Sequence, residues 1–187
     1  MKKFNRRKFL KTTTFSAAAI STSGLMSGYK NQDEILEPSL NYMGDFSAPK
    51  LETLRTAFIG VGARGSGHLE AFANIEGVEV VAICDLYKDL VESRSKIAKD
   101  IGNGDKHVNI AQYYGSETSW IKMLNDIRPD VVFISTNWDN HAPMAIESMQ
   151  NGSHCFVEVP LAVTIDDLWK IVNASEKTRK HCMMMEN

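Results

Sequence analysis

The sequence predicts a doubly wound α/β fold: a parallel sheet of six strands with helices on both faces. Three observations predict it. From Leu54 onward, short apolar runs alternate with segments of helical period; a glycine-rich turn directly follows the first run; and an acid closes the second. Strands that alternate with helices connect by right-handed crossovers, which bury both faces of the sheet. The expected strand order is 3-2-1-4-5-6.

The elements follow from the pattern in turn. Arg55–Ile59 is a short apolar run that ends at Gly60, and the glycine turn opens a helix. Val78–Cys84 is rich in β-branched residues and ends at Asp85. Leu90, Ile97 and Ile101 mark the next helix, and Val108–Tyr113 the third strand. Trp120, Leu124 and Ile127 mark a helix before the strand Asp130–Ser135; Ala142, Ala145, Ile146 and Met149 mark one after it. The strand His154–Glu158 follows, then a helix with Ile165, Leu168, Trp169 and Val172, where Thr164 and Asp167 are spaced as a capping box. His181–Met185 is the sixth strand. The helical stripes are expected to face the core.

The chain before Leu54 is of another kind. Of 187 residues, 43% are hydrophobic and 24% charged, which suits an ordinary globular domain. The formal charge of −2 hides an asymmetry: six of the 21 basic residues and none of the 23 acids fall in residues 1–11. Removing those six leaves 15 basic against 23 acidic, a formal charge near −8 for the remainder. A nucleic-acid binder needs a basic footprint on its folded part, and none is visible. Asn5-Arg6-Arg7-Lys8-Phe9-Leu10-Lys11, ahead of the weakly apolar stretch Thr12–Met26, resembles a twin-arginine export signal. That stretch is too short and polar to span a bilayer. The expected division is a signal over 1–28, a linker over 29–53 and a domain over 54–187, with a periplasmic destination. The three cysteines, Cys84, Cys155 and Cys182, lie in apolar strand-like runs and read as buried thiols; no C-x-x-C or H-x-x-x-H supports a metal.

Gly60-Val61-Gly62-Ala63-Arg64-Gly65 is G-x-G-x-x-G between a strand and a helix. Gly60 permits the tight turn, Gly62 lets backbone approach a pyrophosphate, and Gly65 allows the helix close to the strand. The free N–H groups and positive end of the helix, from Ala63 and Arg64 on, suit phosphates; Ser66 offers a hydroxyl. Asp85, twenty residues beyond Gly65, suits a ribose with both hydroxyls and repels a 2′-phosphate, which favours NAD over NADP. Lys88 is a nearby counterweight, or a solvated lysine at a helix start.

Ligands of open sheets sit at the carboxyl ends of strands, where Asn137, Trp138 and His141 follow the fourth strand and Glu158 ends the fifth. His141 and Glu158 are candidates for the nicotinamide or substrate side, and Trp138 for ring stacking. Alternatively, Asp139 or Asn140 caps the next helix, with His141 in its first turn and Pro143 tolerated there. His68, His107, His154 and His181 show no partner pattern and read as structural.

With these residues in place, Leu54–Asn187 resembles the N-terminal Rossmann domain of the Gfo/Idh/MocA oxidoreductases. The resemblance implies a C-terminal α/β domain carrying most of the substrate site and the oligomer interface, expected to be missing here. That family usually has Glu-Lys-Pro after the fifth strand; this sequence has Glu158-Val159-Pro160, and valine can neither transfer a proton nor donate a hydrogen bond. That turn, Ser135–His141 and Ser175–Met184 are similar to glycoside hydrolase family 109, NAD-dependent α-N-acetylgalactosaminidases that often carry twin-arginine signals. The resemblance implies that Gly60, Gly62, Gly65 and Asp85 hold NAD, with Glu158 and the His141 region facing nicotinamide and sugar. It also implies a redox-neutral cycle: oxidation at the sugar's C3, loss of the C2 proton and the C1 substituent, hydration, and return of the hydride. The competing readings are a sugar oxidoreductase of the wider family and a non-catalytic dinucleotide-binding module.

Overall fold

The computed structural model describes residues 42–102 and 105–186. The expected signal and the linker as far as residue 41 lie outside them. The described residues form strands β1 (Leu54–Ile59), β2 (Val78–Cys84), β3 (Ala111–Tyr113), β4 (Val131–Ile134), β5 (His154–Glu158) and β6 (Cys182–Met185). Helices α1 (Ala63–Ala73), α2 (Lys88–Ile101), α3 (Ser119–Ile127), α4 (Trp138–Gln150) and α5 (Ile165–Thr178) lie between them.

All pairings are parallel, and the order is β3-β2-β1-β4-β5-β6, the expected 3-2-1-4-5-6. Alternate residues of each strand feed two cores. Phe58, Val80, Ile83 and Phe133 pack under α1 and α2 with Leu69, Ala73, Val91 and Ala98. Ala57, Ile59, Val132, Ile134 and Val157 face α3, α4 and α5 with Leu124, Ala145 and Ile171. Phe58, Phe133 and Phe156 stack in a row across β1, β4 and β5, with centroids 4.7 and 5.2 Å apart. This row fixes the middle of the sheet, where β1 and β4 diverge in connection.

Two expectations need correction. The third strand is three residues long rather than the expected Val108–Tyr113. His107, at φ 53, turns its fully buried ring inward. Its Nδ1 accepts from Val80 N at 3.0 Å and its Nε2 donates to Ala73 O at 3.0 Å, so a side chain replaces part of a strand ladder. That bond falls where the β1–β2 register slips, Thr56 opposite Val80 and Ala57 opposite Ala82.

The second concerns α5. Ile165, Leu168, Trp169 and Val172, the expected core stripe, are 73, 40, 53 and 44% exposed. The helix instead buries Ile171 and Ala174, and the small alanine permits close approach to the core. Its start is as expected: Thr164 Oγ1 accepts from Asp167 N at 3.1 Å and donates to the Asp167 carboxylate at 2.8 Å. On α2 the buried line runs through Val91, Ser95 and Ala98, with Leu90 and Ile101 at its margin. All three cysteines are free thiols; Cys84 and Cys155 are buried. Among the described residues, no helix is long and apolar enough to cross a membrane, and no group of His, Cys, Asp or Glu could hold a metal ion.

Candidate functional site

The three glycines of the β1–α1 turn play separable parts. Gly60 has φ +82, in the left-handed region; a Cβ there would also lie 2.4 Å from Ser135 O. A Cβ on Gly65 would lie 1.9 Å from Gly60 O, so the helix seats on the turn only without one. Gly62 differs: a Cβ there would meet nothing within 4 Å. Gly62 is also the N-cap of α1, with no side chain capping it. The first intrahelical bond is Ser66 N to Gly62 O at 2.9 Å, so the amides of Gly62, Ala63, Arg64 and Gly65 precede it. An open space at four free N–H donors and the positive helix end is a cradle for an anion. Ser66 does not add its hydroxyl as expected; Oγ donates to Ala63 O at 3.1 Å.

Asp85, at the tip of β2, braces the turn. Its Oδ2 accepts from Val61 N at 2.8 Å and its Oδ1 from Tyr87 N at 3.2 Å. A carboxylate has about four acceptor positions, which leaves capacity for the hydroxyls of a ribose. Arg94 of α2, not singled out by the sequence, holds the other side of the turn, Nε to Val61 O at 3.4 Å. Its long reach from the middle of a helix carries no local signal.

On the far side of the switch point, α4 opens with Asn137 as N-cap, and the Asn137 Oδ1 accepts from Asn140 Nδ2 at 2.5 Å. The cap is thus Asn137 rather than Asp139 or Asn140. Trp138, 63% exposed, stands beside it as the first helical residue. Pro143 lies beyond the first turn, inside the helix. His141 is fully buried, with Nδ1 2.7 Å from Pro160 O and Nε2 3.1 Å from Thr136 O. Both ring nitrogens are engaged with backbone, so His141 ties the loop after β4 to the Val159–Pro160 turn after β5.

Glu158 ends β5 with its side chain 10% exposed. Its Oε1 lies 2.5 Å from His68 Nε2 and 3.4 Å from Arg64 Nε, both on α1, and its Oε2 accepts from Val159 N at 3.2 Å. Burial pushes the carboxyl pKa up, but the His68 and Val159 hydrogen bonds and the charges of Arg64 and His68 outweigh it, leaving it below the ordinary value. His68, which showed no partner pattern in the sequence, therefore meets the Glu158 carboxylate. The i,i+4 spacing from Arg64, which puts both on one helix face, was the available signal. Between α1 and the tip of β4, Ser135 Oγ is closed off from solvent without a hydrogen-bond partner.

A glycine cradle at a helix start, an acid at the next strand's tip and a switch point between β1 and β4 define a dinucleotide-binding domain. Residues 54–186 match the model of the Gfo/Idh/MocA oxidoreductases, with their NAD-binding Rossmann fold, and the chain belongs to that family. It is 46% identical over 186 residues to a glycosyl hydrolase family 109 protein of Shewanella pealeana, covering 99% of this chain and 40% of that one. It is 41% identical over 190 residues to an α-N-acetylgalactosaminidase of Shewanella oneidensis, covering 100% of this chain and 40% of that one. The chain thus spans about two-fifths of the length of these relatives.

Among solved structures, it resembles a myo-inositol 2-dehydrogenase from Lactobacillus plantarum, with TM-score 0.58 and 25% identity over 71% of this chain and 36% of that one. The fold is also that of a scyllo-inositol dehydrogenase from Lactobacillus casei solved with NAD(H), with TM-score 0.59 and 16% identity over 71% of this chain and 36% of that one. NAD is the cofactor of this domain, and the open space at Gly62, the free helix amides and the spare acceptor capacity of Asp85 fit it.

Proposed function

We propose that this chain is the NAD-binding part of an exported glycosidase that removes terminal α-N-acetylgalactosamine in a redox-neutral cycle. The observation that carries the reading is the turn at the tip of β5. Where the family's alcohol dehydrogenases place a lysine, this chain has Val159, 39% exposed and without a transferable proton, beside the buried carboxylate of Glu158. The likeness, along nearly the whole of this chain and two-fifths of each relative, to proteins named for family 109 and for α-N-acetylgalactosaminidase supports the substrate class.

When bound, NAD would supply the hydride chemistry of that cycle. The chain's own residues position it. The amides of Gly62, Ala63, Arg64 and Gly65 would hold the pyrophosphate and Asp85 the adenosine ribose. With the cofactor held so, its nicotinamide end would lie toward Trp138 and Glu158, across the switch point. His141 keeps the two loops on that side at a fixed separation through its two carbonyl contacts.

Export is consistent with such a cycle. Free NAD is expected to be scarce outside the cytoplasm, and an enzyme that regenerates its cofactor every turnover needs no external supply. The test is hydrolysis of p-nitrophenyl α-N-acetylgalactosaminide by the full-length protein. We expect release of nitrophenol with substoichiometric NAD and no net NADH. Accumulation of NADH in step with product would instead mark a sugar dehydrogenase.

A further inference from the structure

Cys155 and Cys182 stand directly opposite one another in the parallel pairing of β5 with β6. Both face the core under α4 and α5: Cys155 is buried within it, and Cys182 packs against it half-buried. Neighbouring strands run about 4.7–4.9 Å apart, inside the Cα separation of about 4.4–6.8 Å that a disulfide spans. The side chains also meet. Cys155 Sγ lies 3.8 Å from Ala145 O of α4 and 3.9 Å from His181 O, so the sulfur reaches the backbone leading into β6. A hydrogen bond with Cys182, and then burial, raise the Cys155 thiol well above its ordinary pKa.

We propose that Cys155 and Cys182 are a disulfide-forming pair, free in the reduced protein and oxidised by low-molecular-weight disulfides such as glutathione disulfide. Cys182, the more accessible of the two, is the entry point. Its thiolate attacks one sulfur of the oxidant, forming a mixed disulfide and releasing one glutathione thiolate. The Cys155 thiolate then attacks Cys182 Sγ, closing the cross-strand bond and expelling the second glutathione. The protein gives up two electrons and two protons, and the two glutathione thiols formed carry them away. Cys155 acts second because it is buried and resists deprotonation.

Opposed Cβ atoms stand about as far apart as their strands, slightly beyond the usual Cβ separation of about 3.5–4.5 Å in a disulfide. Closing the bond therefore draws the strands together, and that strain leaves it readily reduced by a dithiol. Among the described residues β6 ends the sheet, so the bond would tie an edge strand to the strand that carries Glu158. The third thiol is an internal control. Cys84 ends β2, which β1 and β4 separate from β5 and β6. Burial and the Asp85 charge push its pKa up to about 12, so it stays a thiol.

The experiment treats the reduced full chain with glutathione disulfide and follows it by thiol titration and mass spectrometry. The free thiols are expected to fall from three to one, with loss of two hydrogens and no retained glutathione. Peptide mapping should join Cys155 to Cys182, and dithiothreitol should restore all three thiols. Cys182→Ser is expected to keep both of its remaining thiols. Cys155→Val, which keeps an apolar strand residue, is expected to stop at a stable glutathione adduct on Cys182. Where a variant fails to fold, the wild-type peptide map decides. Three thiols retained, a lasting wild-type adduct, a bond through Cys84 or between two molecules, or a link formed only in urea would overturn the proposal.

Discussion

Replacing Gly62 by alanine separates folding from cofactor binding, because a Cβ there meets no protein atom within 4 Å. Its φ of −66° is open to alanine, so the backbone is not strained. The folding cost is that of an N-cap changed from glycine to alanine, about 0.5–1 kcal/mol. The methyl group would instead fill the space beside the free amides of α1, where a pyrophosphate must approach closely. Loss of that approach should weaken NAD binding at least tenfold, about 1.4 kcal/mol or more. Urea denaturation and calorimetric titration measure the two effects on one sample.

Gly65→Ala is the contrast. Its Cβ would start 1.9 Å from Gly60 O, a backbone atom that cannot rotate away. The helix would have to retreat, costing about 1–3 kcal/mol or more of stability as well as the site. A Gly62→Ala protein that binds NAD like wild type would refute the assignment of the cradle, as would one that unfolds like Gly65→Ala.

Three further outcomes are expected. Gly67→Ala, on the open face of α1 with nothing within 4 Å of its Cβ, should stabilise the fold by about 0.5–1 kcal/mol, read as a higher urea midpoint. His154, whose Nδ1 accepts from His181 N, has its pKa lowered from 6.5 to about 4, by burial first and then by Lys180 and His181. The folded state therefore prefers the neutral ring, and stability present above pH 6.5 should be lost as pH falls toward 4. Discounted for partial exposure, the loss is roughly 1–2 kcal/mol, and it should be largely removed in His154→Asn, which keeps an acceptor. In cells, Arg6→Lys with Arg7→Lys should hold the protein in the cytoplasm, as fractionation would show; unchanged export would refute the twin-arginine reading.

What was legible in the sequence was what is local. β2 and β5 match their expected bounds because apolar runs with β-branched residues end at an acid, and the glycine turn announces its geometry in its spacing. The third strand was overestimated because His107 supplies a ladder partner from its ring, which no pattern encodes. The α5 stripe has core periodicity yet lies exposed, since periodicity names an apolar face without saying what it meets. The Glu158–His68 contact joins residues 90 apart. Only the fold brings them together, so His68 looked unpartnered while Glu158 stood out at its strand tip.

The most direct test is a crystal structure of the protein with NAD+. The pyrophosphate should lie against the amides of Gly62–Arg64, the adenosine ribose on Asp85, and the nicotinamide toward Glu158 and Trp138. A cofactor bound elsewhere, or with its adenosine end at Glu158, would contradict the account.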